Sequence, residues 1–106
     1  MKSYCEKIAR LLIPAIRSLV AIRLANKHKL SQTEVARIIG VTQPAVSYYI
    51  KAKRGNKLAE KLEGDPELNA FINDFAEKLY KGMSQEEVQK MICTVCTKVR
   101  EKGYIN

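Results

Sequence analysis

Residues 32–51 read QTEVARIIGVTQPAVSYYIK. Two short helices that cross steeply over a three-residue turn would place this composition on the chain position by position. Close approach of the helices needs a small residue midway along the first, and Ala36 stands there. The turn needs a residue able to take positive φ, and Gly40 stands there. The inward positions need apolar side chains, and they hold Val35, Ile39, Val41, Val46 and Tyr49. Just upstream, Ser31-Gln-Thr-Glu34 has the spacing at which serine accepts from a free backbone N–H and glutamate reaches back. Thr42 can cap a second helix starting at Gln43, with Pro44 tolerated in its first turn. The stretch predicts helices over 32–39 and 43–50.

Helix signals continue outward on both sides. Ser3-Tyr-Cys-Glu6 and Ser84-Gln-Glu-Glu87 repeat the capping spacing, and Asp65-Pro66 offers a cap followed by proline at the first helical position. Pro14 is expected to break or kink an N-terminal helix near Ile13, because its ring clashes one turn back. A second segment to about Lys27 aligns Ile16, Leu19, Val20 and Leu24 in one stripe. A short helix is expected near 57–63, ending at Gly64, and two longer ones over 66–81 and 85–101. No strand and no internal repeat is visible. The predicted fold is all-α, a helix-turn-helix bundle followed by a C-terminal helical hairpin. The expected boundary lies at Gly64-Asp65-Pro66, which divides the chain into 1–64 and 65–106.

Charge supports that division. The 106 residues carry a net charge of +8. Residues 1–64 hold 13 Lys/Arg and 4 Asp/Glu, a balance of +9, whereas 65–106 hold 6 and 7, a balance of −1. The basic half is the half with the two-helix motif, which points to a polyanionic partner for that half. No apolar run approaches the ~18–20 residues that cross a bilayer. Residues 11–20, the longest candidate, are interrupted by Pro14 and Arg17, and Glu6, Lys7 and Arg10 interrupt any leader-like stretch. The expectation is a cytoplasmic protein without a membrane partner. An enzyme is not expected: there is no glycine-rich phosphate loop, no nucleophile–base pair and no carboxylate cluster suited to a metal. No small-molecule substrate is indicated.

The stretch LSQTEVARIIGVTQPAVSYYI resembles the lambda-repressor/Cro-like helix-turn-helix family, also called XRE. The resemblance extends over about 14–62, and IPAIRSLVAIRLANKHKLSQ is similar to small archaeal regulators of this type. It implies a bundle of about five helices whose third enters the major groove of double-stranded DNA. Carried over by position, Gln32 opens the second family helix and contacts phosphate, and Thr42 and Gln43 begin the recognition helix. Gln43 is suited to bidentate pairing with adenine. Ser47 and Tyr48 lie one turn on, the first toward a base edge or phosphate, the second toward a thymine methyl or phosphate. Lys51, Lys53 and Arg54 follow where the backbone passes, and are expected to neutralise phosphates. Pro44 departs from family members that place a second base-reading glutamine there, and offers apolar contact at most.

Three cysteines remain: Cys5, Cys93 and Cys96. Cys93-Thr-Val-Cys96 lies in the last predicted helix, whose buried stripe is Met91, Ile92, Val95 and Val99 with Cys96 at its edge. Cys93 falls off the stripe, near Lys90 and Arg100, and neighbouring cations favour the thiolate. The three thiols can bind zinc or an iron–sulfur cluster with an outside ligand, switch redox state, or serve as small apolar fillers. His28, the only histidine, is expected at a helix C-terminus, where it suits the dipole. Leu68, Phe71, Ile72, Phe75, Leu79 and Tyr80 form one apolar face and Val88, Met91, Ile92, Val95 and Val99 another. The two faces can close a hairpin or make a homodimer, and two recognition helices one DNA turn apart read a palindrome. The leading expectation is therefore a dimeric transcriptional regulator, a repressor, with dimerisation and any sensing in 65–106. An antitoxin or protein-binding adaptor of the same fold, and a cysteine-based redox or metal protein, are the competing readings.

Overall fold

The computed structural model describes the backbone of residues 2–105 and the side chains of residues 8–105. The Ser3–Glu6 capping pair and Cys5 lie outside the described side chains. Among the described residues there are six α-helices and no strand: α1 (Lys2–Lys27), α2 (Gln32–Ile39), α3 (Gln43–Ala52), α4 (Lys57–Gly64), α5 (Pro66–Lys81) and α6 (Gln85–Glu101). A single 3-10 turn at Lys53–Gly55 joins α3 to α4.

The N-terminal region departs from expectation. It forms one helix of 26 residues, and Pro14 lies inside it. Proline removes one backbone hydrogen bond and crowds the carbonyl four residues back, a cost of about 3 kcal/mol in a helix interior. Packing on both sides of the proline outweighs that cost. Ile8, Leu12, Ala15, Ile16, Leu19 and Val20 are buried in a stripe that runs past Pro14 without changing face. Burying one large aliphatic side chain contributes about 1.5–3 kcal/mol, so the stripe exceeds the proline's cost several times over.

That stripe makes α1 the hub of the molecule, in contact with α2, α3, α4, α5 and α6. The buried core is continuous from Ile8 and Leu24 of α1 through Val35, Val46 and Leu62 to Ile72, Phe75, Val95 and Val99. The radius of gyration is 13.0 Å, close to the ~13 Å of a compact chain of this length. The α5–α6 hairpin thus folds back on the bundle instead of reaching away as an arm.

Caps fix the later helix ends as the sequence predicts. Ser31 and Glu34 form the reciprocal box at the start of α2, and Ser84 and Glu87 do so at the start of α6. Asp65 accepts the Leu68 N–H at 3.1 Å to start α5. His28 differs from its expected local role. It stands one residue beyond α1, and its ring stacks on Tyr80 of α5 with centroids 3.8 Å apart. Its Nε2 lies 3.1 and 3.0 Å from the two carboxylate oxygens of Glu77. The imidazole ties α1 to α5, a tertiary contact that sequence spacing does not show. Its contact, with Lys27 adding its charge, holds the Glu77 carboxyl below the usual carboxylate range.

Candidate nucleic-acid interface

The interface is built from the α2–α3 crossing. Gly40 closes α2 with φ 75°, and its N–H and that of Val41 both reach the Ala36 carbonyl, at 2.9 and 3.0 Å. This left-handed turn sets the direction of α3. Thr42 then caps α3 by accepting the Ala45 N–H at 3.3 Å, and Pro44 sits in the first turn, where its missing N–H costs nothing. Val35, Ala36 and Val46 are buried at the crossing, with Ile39 and Val41 partly buried beside them.

At ~100° per residue, Gln43, Pro44, Ser47, Tyr48 and Lys51 fall within an arc of roughly 140° on α3. Val46 and Tyr49 lie on the other side. Burial follows the same division: Val46 is fully buried, Gln43, Pro44 and Lys51 are exposed, and Tyr48 is 66% exposed. Ser47 is half-buried at the edge of the face. The Tyr48 ring lies on the side of the helix away from the core, where it suits contact with a partner.

The structure brings Gln32 and Gln43 together. The Gln43 side-chain amide donates to the Gln32 carbonyl oxygen, joining the first residue of α2 to the first residue of α3. Each glutamine thereby restrains the other's rotamer, and the remaining amide groups are presented as one unit at the start of α3. Such preorganisation reduces the entropy lost on binding.

The basic residues separate into two groups. Lys51 and Arg54 are exposed at the end of α3 and in the 3-10 turn. Lys53 is held instead by Glu63 of α4 at 2.7 Å, so it meets a phosphate only by exchanging one anion for another.

One member of the site was missed in the sequence reading. Tyr49 is an inward residue of α3, as expected, but its hydroxyl accepts from Arg17 Nη1 of α1 at 3.0 Å. The Arg17 guanidinium lies 5.8 Å from the same ring, and Tyr49 meets Tyr48 edge-on at 5.8 Å between centroids. The available signal was an arginine interrupting the apolar run of α1 between Ile16 and Ser18.

Cys93 and Cys96, on α6, stand apart from this face. Cys93 is exposed on α6, 3.5 Å from the Gln89 side-chain nitrogen, and Cys96 is half-buried at the edge of the core. Among the described residues no three His, Cys, Asp or Glu side chains are grouped to hold a metal ion.

Capped helices crossing over a left-handed glycine, with a solvent-facing polar row on the second, define a helix-turn-helix protein. Residues 19–67 match the family model HTH_3, helix-turn-helix. That segment is similar to XRE-type helix-turn-helix domains, and such a domain suggests a DNA-binding regulator. Searches of curated proteins and of solved structures give no match. No helix among the described residues is long and apolar enough to cross a membrane.

Proposed function

We propose that this protein is a transcriptional repressor that inserts α3 into the major groove of double-stranded DNA as a homodimer. One observation carries the reading: five exposed or edge residues of α3 share a single face, and at its N-terminal end the Gln32–Gln43 pair presents joined amides. Gln43 reads adenine, with its carbonyl and amino groups matching adenine N6 and N7. Thr42, Ser47 and Tyr48 contact the adjoining base edges or phosphates, Pro44 gives apolar contact only, and Gln32 reaches phosphate. Lys51 and Arg54 neutralise phosphates, with Lys53 contributing less because of Glu63. The +9 balance of residues 1–64 supplies attraction that does not depend on sequence.

Residues 65–106 pair the two subunits in this reading. Phe71 of α5 and Met91 of α6 are only partly buried. This leaves apolar area for a second copy. Selection from a random duplex pool tests the proposal together with sedimentation of the complex. The expected product is an inverted repeat with half-sites about one helical turn apart, bound by two chains. A pool that emerges unenriched would contradict the reading and favour a protein-binding adaptor.

A second reading, favoured by the exposure of Cys93, adds control by thiol chemistry. Cys93 and Cys96 lie one turn apart on α6, and oxidation or metal capture there would act on the dimerising half. A zinc ion or iron–sulfur cluster would also need Cys5. Anaerobic purification, metal analysis and an absorption spectrum test this. DNA affinity that changes on oxidation supports it, whereas a metal-free protein that binds DNA identically with and without oxidant contradicts it.

A further inference from the structure

A groove of about 990 Å³ opens between α1, α2 and the α5–α6 turn. Its walls carry Ile13 and Ile16 of α1, Ile38 of α2, Leu79 of α5, and Val88 and Ile92 of α6. All but Ile16 are only partly buried. The volume is at the upper end of what organic ligands occupy, and aliphatic walls alternate with polar groups around the groove.

The polar groups of the lining are unevenly charged. Arg17 and Arg37 both border the groove. The acidic residue on the same rim, Glu34, has its Oε1 bound to the Ser31 N–H at 2.9 Å, and that backbone bond holds its carboxyl below the usual range. Glu34 keeps its negative charge and also feels the positive charge of Arg37, so the two arginines leave the rim with a net positive charge. The amides of Gln85 and Gln89 complete the polar part. Two guanidinium groups beside an aliphatic trough match a molecule with an apolar body and one carboxylate or sulfonate.

We propose that this groove binds an amphipathic organic anion, and that its occupancy weakens the grip of α3 on DNA. The second half of the proposal rests on the reading of α3 given above. Arg17 is the link. It lines the groove and also donates to the Tyr49 hydroxyl at 3.0 Å. A carboxylate in the groove competes for the guanidinium and draws it from Tyr49. Tyr49 abuts Tyr48, the most exposed aromatic ring of the DNA-facing row. The two ligands therefore favour different positions of one side chain, which is the condition for coupling between their sites.

Octanoate serves as the probe and 1-octanol as its uncharged counterpart, with binding followed by backbone amide NMR shifts on the DNA-free protein. Octanoate should give saturable shifts centred on the lining residues, with affinity at least fivefold above that of octanol. Arg17→Gln should erase that preference, and Ile13→Trp should abolish the shifts while leaving the helical circular dichroism intact. Absence of saturable shifts would overturn the site. So would an unchanged preference in Arg17→Gln, or the same shifts arising from protein concentration alone, which would assign the groove to a second copy. None of these arms contains DNA, so they stand apart from the reading of α3. In a further arm, saturating octanoate should weaken binding to the selected duplex severalfold, and the duplex should weaken octanoate binding by the same factor. An unchanged duplex affinity at octanoate saturation would overturn the coupling.

Discussion

Tyr104 donates its hydroxyl to Oδ2 of Asp65 at 2.7 Å, while Oδ1 of the same carboxylate accepts the Leu68 N–H at 3.1 Å. Lys102 approaches Oδ2 at 3.2 Å. The junction between α4 and α5 is therefore locked by Lys102 and Tyr104, just beyond α6. The Tyr104 hydroxyl, the Leu68 N–H and Lys102 hold the Asp65 carboxyl at about 2, down from 3.8. A depressed carboxyl stabilises the fold in full above its unfolded value and loses that contribution as pH falls through its folded value. Asp65→Asn should melt at a lower temperature than the parent at neutral pH. The gap should narrow as pH drops from about 4 to about 2. Melting curves followed by circular dichroism check this, and a gap undiminished at pH 2 would contradict it.

Pro14 sits inside α1 against the local preference of the chain. Pro14→Ala restores an N–H to the helix and removes the clash with the preceding turn, at the cost of greater freedom in the unfolded chain. The net expectation is a gain of about 2 kcal/mol, read as a rise in melting temperature. A variant no more stable than the parent would show that α1 has already relaxed around the ring.

Gly40 and Gly64 offer a paired test of backbone strain. A Cβ at either position would meet no atom within 4 Å, so space does not separate them. Only Gly40 has positive φ. Gly40→Ala should therefore cost about 1–2 kcal/mol through left-handed strain. Gly64→Ala, at the last residue of α4, should stabilise by up to about 1 kcal/mol. Chemical denaturation of both variants decides the point, and equal effects would argue against strain at the turn.

The motif was legible in the sequence because each of its constraints is local. Caps at Ser31 and Thr42, the small Ala36 and the left-handed Gly40 act within one or two turns, so residue type at fixed spacing reveals them. The ends of α5 and α6 were legible for the same reason. Pro14 misled because its local penalty is overruled by a buried stripe formed with distant helices. His28 and Arg17 were misplaced or missed because their partners, Glu77, Tyr80 and Tyr49, are more than thirty residues away. Lys53 shows the converse limit. Its charge suggested a phosphate contact, but the chain turns it onto Glu63. The amide pairing of Gln32 with Gln43 also depends on the crossing of two helices, which spacing alone does not orient.

In the proposed complex, α3 reads base pairs through Gln43. This contact is tested most directly by measuring affinities of the parent and Gln43→Ala for the selected duplex and for duplexes altered at each position in turn. Gln43→Ala should lose discrimination at one base pair of each half-site, by about 1–3 kcal/mol, while preference elsewhere and the salt dependence are kept. Equal affinity of both proteins for every duplex would contradict it.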